Sequence, residues 1–155
     1  MRPQSLAEVA AYGLQHPEQF ETACDEFCDE FYLRYPDFAA MQNALNPVPN
    51  IMFEPHKDAW IGAIGEHLAM RWQLEVPGWV KREEHFALSL PVFMPPSQRL
   101  RHLLIAESPP AFRSRMIFTF AEPLQRARFP KGVAVVQMPW EVEIKSPAKH
   151  FSAAR

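Results

Sequence analysis

Phe20, Cys24, Phe27, Phe31 and Tyr35 recur at intervals of three and four residues, the period of one face of an α-helix. Glu18, Glu21, Asp25, Asp29 and Glu26 or Glu30 occupy the opposite face. This predicts a strongly amphipathic, acidic helix over residues 18–35, closed at Tyr35 because a residue before proline avoids helical angles. Upstream, Ser5 and Glu8 have the spacing of a capping box and predict a short helix to about Leu14. A turn of helix is expected over Phe38 to Leu45, then a linker at Asn46 to Asn50. A second long helix is predicted from about Pro55 to Leu74, with Trp60, Ile61, Ile64, Leu68 and Trp72 inward. Gly62 and Gly65 inside it each cost about 1 kcal/mol relative to alanine, so close packing against them is expected.

The pattern weakens downstream. Trp79 to Leu88 reads as another short helix, and Leu90 to Pro96 as an irregular apolar segment laid across the core. Ser97 is placed to cap a helix to Glu107, with Leu100, Leu103 and Leu104 inside. The double proline Pro109-Pro110 breaks it and starts a further turn to Arg115, with Phe112, Ile117 and Phe118 as anchors. Another turn is expected over Glu122 to Ala127. Beyond Gly132, Val133 to Val136 and Trp140 to Lys145 have the β-branched content and alternation of strands. The fold class predicted is mainly α: a compact multi-helix domain over 1–130, with a short C-terminal β-hairpin or extended tail over 131–155 packed on it or on a partner.

Composition fits that picture. The chain has 155 residues, 48% of them hydrophobic and 22% charged, enough for one domain with a real core. Proline is abundant at 16 and glycine scarce at 5, which favours short helices with hard stops over a phosphate loop or a many-turned sandwich. No apolar run reaches the roughly 18 residues of a membrane span, and the N-terminus lacks the basic start and apolar core of a secretory signal. Cys24 and Cys28 stand four apart on the predicted helix, too far for a disulfide, and are expected as reduced thiols in the cytoplasm.

Charge is divided unequally. Residues 1–96 hold six basic groups against fourteen acidic, a net of −8, and residues 97–155 hold ten against four, a net of +6. Two halves that fold together and partly cancel is the favoured reading of this asymmetry. The basic half contains three arginine pairs, Arg99/Arg101, Arg113/Arg115 and Arg126/Arg128. Guanidinium forks suit phosphates and carboxylates, but residues two apart on a helix do not face each other, so a grip needs several pairs to converge. Solvated faces, or partners for the acidic helix, are the plainer expectation.

Candidate chemistry is sparse. The six histidines include no His-Glu-x-x-His and no pair four apart, and the two cysteines are explained by packing, so no metal or cofactor is expected. Glu66, His67, His102 and Glu107 are the residues around which an acid–base pocket would be sought, although Glu66 and His67 point about 100° apart on a helix. Glu143-Ile144-Lys145 matches the end of a nuclease motif without its upstream acid.

The stretches ACDEFCDEFYLRYPDF, IGAIGEHLAMRWQLEVPGWV and LLIAESPPAFRSRMIF, followed by EPLQRA, cover most of residues 20–128. Together they resemble a family of small helical bacterial proteins often accompanied by, or fused to, a helix-turn-helix segment, some of them near nucleotidyltransferase-like toxin genes. The resemblance implies a toxin–antitoxin or regulatory setting and no catalytic residue. No helix-turn-helix is legible in this chain, and residues from Lys131 onward depart from the likeness.

The function expected is therefore a non-enzymatic protein-binding module, antitoxin-like, that occludes the active groove of a toxin through its acidic helix or its tail. Arg113, Arg115, Arg99, Arg101, Glu21, Asp25 and Asp29 are the expected partner-binding residues. The alternatives are a nucleic-acid-associated regulator using the basic half, and a small enzyme of unknown class.

Overall fold

The computed structural model describes residues 2–86 and 88–133. The hairpin expected around Pro139 and the Glu143–Lys145 match lie outside them. The first helix, α1 (Leu6–Gln15), starts where the capping box places it: Ser5 Oγ accepts from Glu8 N at 3.2 Å. The Glu8 carboxylate reaches back one residue further than the simple box, to Gln4 N at 2.6 Å. A 3₁₀ turn at Pro17–Gln19 leads into α2 (Phe20–Leu33), whose apolar stripe from Phe20 through Phe31 is buried. The helix α3 (Phe38–Leu45) is capped by Asp37, whose side chain accepts from Ala40 N at 3.0 Å.

At the centre is α4 (Pro55–Arg71), buried on almost every side, which is why a one-faced stripe described it incompletely. The two interior glycines have the reason expected of them. A Cβ on Gly62 would lie 2.7 Å from His85 Cβ and 2.9 Å from Arg115 Nε, and one on Gly65 would meet the Trp79 ring at 2.7 Å. The segment that makes these approaches forms two 3₁₀ turns, Gly78–Lys81 and Glu83–Phe86, in place of the short helix expected there. Trp79 is tied down by its indole N–H, which donates to Leu45 O at 2.9 Å.

Among the described residues the only sheet is a parallel pair, β1 (Val92–Phe93) against β2 (Ile117–Phe118), with Val92 opposite Ile117 and Phe93 opposite Phe118. Parallel strands need a crossover, and α5 (Arg101–Glu107) and α6 (Pro110–Arg113) supply it. The segment expected to be irregular is thus partly a strand. Of Leu100, Leu103 and Leu104, all expected inside, only Leu104 is buried; Leu103 is exposed and Leu100, in the 3₁₀ turn before α5, is half-buried. Residues 122–127 form no helix. They return to α2, where Tyr32 Oη donates to Leu124 O at 2.6 Å and the Tyr32, Trp72 and Phe129 rings meet edge to face or tilted. The chain is mainly α-helical, and no described helix is long and apolar enough to cross a membrane.

Candidate functional site

The described part of the basic half, residues 97–133, does fold against the acidic half. Arg126 grips the acidic face of α2: its Nε and Nη2 donate to the two Asp29 carboxylate oxygens at 3.1 and 2.9 Å, and its Nη1 lies 2.9 Å from Asp25 Oδ2. That forked contact holds the Asp29 carboxyl below its ordinary range. Within the acidic half itself, Arg2 pairs with Glu30 at 2.9 Å.

Arg115 corrects the sequence reading most sharply. Expected on the surface beside Arg113, it is wholly buried, at 0% exposure. It makes four hydrogen bonds, to Glu66 Oε1 at 2.9 Å and to the backbone carbonyls of His85, Ala111 and Val80 at 3.0, 2.7 and 2.7 Å. The Phe86 ring lies 4.0 Å from its guanidinium carbon. Burial lowers its pKa while Glu66 opposes that shift. This arginine joins α4, the two 3₁₀ turns and the end of α6, and offers nothing to a partner. Arg113, Arg99 and Arg101 are exposed, and Arg101 lies over Phe93 at 4.9 Å. The arginine pairs are thus used at separate places: inside the core at Arg115, on α2 at Arg126 and over β1 at Arg101.

The residues sought for acid–base chemistry are likewise not gathered. Glu66 is held by Arg115 and Lys81, the latter at 3.4 Å. His67 Nε2 lies 3.4 Å from Glu122 Oε1, and Arg71 Nε donates to the other Glu122 oxygen at 2.9 Å. His102 is exposed on α5, and Glu107 accepts from Ala121 N at 3.4 Å. Among the described residues no group of three or more histidine, cysteine, aspartate or glutamate side chains is placed to hold a metal ion.

What the structure does form is a groove of about 600 Å³, in the usual size range of ligand sites. It is lined by the 3₁₀ turn at Pro17–Gln19 and the start of α2, by His56, Lys57 and Trp60 at the start of α4, by Leu88, Val92 and Met94, and by Ile117. Phe20, Cys24, Trp60, Leu88, Val92, Met94 and Ile117 give it an apolar floor. Phe20, Cys24 and Ile117 are buried, so the floor is continuous with the core. Its edge is acidic. Glu21 and Asp25 line it one turn apart on α2, and Glu18 lines it from the 3₁₀ turn that precedes the helix.

The cation at the groove, Lys57, is already engaged. Its ammonium lies 3.0 Å from Glu54, donates to Pro17 O at 3.2 Å and sits 5.4 Å from the Phe20 ring centre. Cys24 remains a protonated thiol, because burial and then the neighbouring Cys28, Asp25 and Glu21 push its pKa well up. Cys28, free and buried beside it, is pushed up to about 12 by burial. The floor therefore provides apolar surface and no nucleophile.

Of the expected partner-binding residues, Glu21 and Asp25 lie on this groove, Asp29 is joined to Arg126, and the arginines are elsewhere. Sequence reasoning missed His56, Lys57, Leu88, Val92 and Met94 as lining residues. The carboxylate spacing was readable, but the meeting of residues 88–94 and 117 with α2 depends on tertiary packing. Comparison with protein-family models, curated proteins and solved structures finds no match.

Proposed function

We propose that the protein is a non-enzymatic binding module that takes a protein partner through the groove between α2 and α4. The observation that carries this reading is an open apolar groove whose edge is lined by Glu18, Glu21 and Asp25. Burying apolar side chains in such a groove supplies affinity at roughly 25 cal/mol per Å² before the costs of association, while the charged edge selects and steers the partner. An antitoxin-like role fits this chemistry: a toxin with a basic substrate groove would meet the acidic face of α2 and be occluded by it. Two buried thiols in place of a disulfide suit a reducing compartment such as the cytoplasm. Nucleic acid is the weaker reading, because Arg115 and Arg126 are committed to internal carboxylates.

Co-expression with the product of the neighbouring gene tests the proposal. A stable complex on size exclusion, lost when Met94→Glu places a charge at the groove, is the expected result. Separate migration of the two proteins, with no rescue of growth, would overturn it.

A further inference from the structure

The groove's own chemistry narrows the kind of partner it takes. We infer that its occupant is an amphipathic segment of a partner protein, carrying large apolar side chains together with lysine or arginine at more than one position. This rests on the protein-binding reading above and deepens it.

The floor comes from four parts of the chain: Phe20 and Cys24 from α2, Trp60 from α4, Leu88, Val92 and Met94 from the segment leading into and past β1, and Ile117 from β2. A surface of that breadth accommodates several apolar side chains rather than one. At the edge, Glu18 and Glu21 are exposed and have no ion-pair partner among the described residues. Asp25 is half satisfied, since Arg126 reaches it with one nitrogen while keeping its forked contact for Asp29. Lys57 forms no ion pair with any of the three among the described residues; its ammonium is paired to Glu54. An uncompensated negative edge beside apolar surface recruits cations and rejects anionic segments.

Spacing distinguishes a peptide from a small amine. Glu21 and Asp25 are four residues apart on α2, roughly 6 Å of rise at about 1.5 Å per residue, and Glu18 extends the row from the 3₁₀ turn before the helix. A single ammonium meets one carboxylate of such a row. A chain bearing cations at more than one position meets the row as a whole, with its apolar face turned to the floor.

The test uses the full chain and calorimetric titration with three probes: a synthetic 14-residue leucine–lysine amphipathic peptide, the same peptide with glutamate for lysine, and butylamine. The lysine peptide is expected to bind, at least tenfold more weakly to Glu18→Lys/Glu21→Lys and severalfold more weakly to Met94→Ser. Its affinity should fall as salt is raised. The glutamate peptide should give no binding. Both sets of substitutions are at exposed side chains, and circular dichroism verifies that the fold is kept. Equal binding of the two peptides, indifference to charge reversal, or butylamine binding as tightly as the peptide would each overturn the inference. If a partner complex forms and is indifferent to Glu18→Lys/Glu21→Lys, the binding function stands and the basic-segment inference fails. If the lysine peptide binds as described and no partner complex forms, the function fails and the groove chemistry stands.

Discussion

Arg115 and Glu66 form an ion pair of 2.9 Å across the interior, with the arginine side chain fully buried and the glutamate side chain 12% exposed. The pair joins the centre of α4 to the turn after α6, and the arginine's other donors reach the backbone carbonyls of His85, Val80 and Ala111, the last of which also accepts from Ser114 Oγ at 3.3 Å. Breaking a buried pair by removing one partner typically costs about 3–5 kcal/mol, because the remaining charge is left without compensation. Arg115→Met is expected to lose stability in that range by urea denaturation. Arg115→Met with Glu66→Met should lose less than the sum of the single changes, since both charges then leave together, although the Val80 and His85 carbonyls still lose the arginine's donors. Additive losses would show that the pair is not coupled.

Gly62 and Gly78 give opposite expectations for one substitution. At Gly62 an added methyl meets His85 Cβ at 2.7 Å and the Arg115 side chain at 2.9 Å, so helix and turn must separate. Overpacking of this kind costs about 1–3 kcal/mol, and Gly62→Ala should lower the thermal midpoint despite alanine's better helix propensity. At Gly78 nothing lies within 4 Å of the added Cβ. Gly78→Ala should be neutral or stabilising by up to about 1 kcal/mol, through reduced freedom of the unfolded chain. Equal midpoints for the two variants would contradict the close approach at Gly62.

The contrast between Arg113 and Arg115 shows what the sequence could and could not reveal. Helices with a long local period were legible: α1 through its capping box, α2 through its aromatic stripe and its stop before Pro36, and α4 through its apolar stripe from Trp60 to Trp72. Local order settles such elements. Residues 78–118 were read less well, because the two 3₁₀ turns, the two-residue strands and a seven-residue α5 take their shape from what they pack against. Two arginines two apart look alike in one dimension, yet one faces water and the other enters the core to satisfy carbonyls from three elements. The acidic side of the groove was visible as a spacing in α2. Its apolar floor was not, because Leu88, Val92, Met94 and Ile117 reach it through the parallel crossover.

His85 makes stability depend on pH in the mildly acidic range. It is fully buried, donates from Nδ1 to Asp58 O at 2.7 Å, and among the described residues has no partner for Nε2. Burial, followed by the charges of Arg82 and Arg115, lowers its pKa below the usual 6.5, against the opposing hydrogen bond and charge of Asp58. With the folded pKa lowered, the unfolded chain binds the proton more readily. The stability of neutral His85 is therefore complete above pH 6.5 and declines as pH falls through the folded value. His85→Asn retains a donor toward Asp58 and removes this titration. Urea midpoints measured from pH 7.5 to 5 should fall more steeply for the native chain than for the variant, and parallel curves would show that His85 contributes nothing.

Arg126 ties stability and groove charge together in opposite directions. Its fork to Asp29 and single contact to Asp25 bring residues 122–130 back to α2, beside the Tyr32 hydroxyl that holds Leu124 O. A charged hydrogen-bonded contact that is only partly buried is worth about 1 kcal/mol, so Arg126→Ala should lower stability by that order in urea denaturation. Asp29 is held below its ordinary 3.8, chiefly by its hydrogen bond to Arg126. The stability this contributes is present above pH 3.8 and lost as pH falls through the lowered folded value, so Arg126→Ala should flatten the stability profile below about pH 4. The same substitution releases Asp25, which lines the groove beside Glu21 and Glu18. A less stable protein should then bind the leucine–lysine peptide more tightly, because the edge has gained an uncompensated carboxylate. Lysine at this position restores a charge but not the fork that spans both Asp29 oxygens. Arg126→Lys should accordingly return groove affinity toward that of the native chain while recovering only part of the stability. Loss of stability with no gain in peptide affinity for Arg126→Ala would show that Asp25 does not serve the groove.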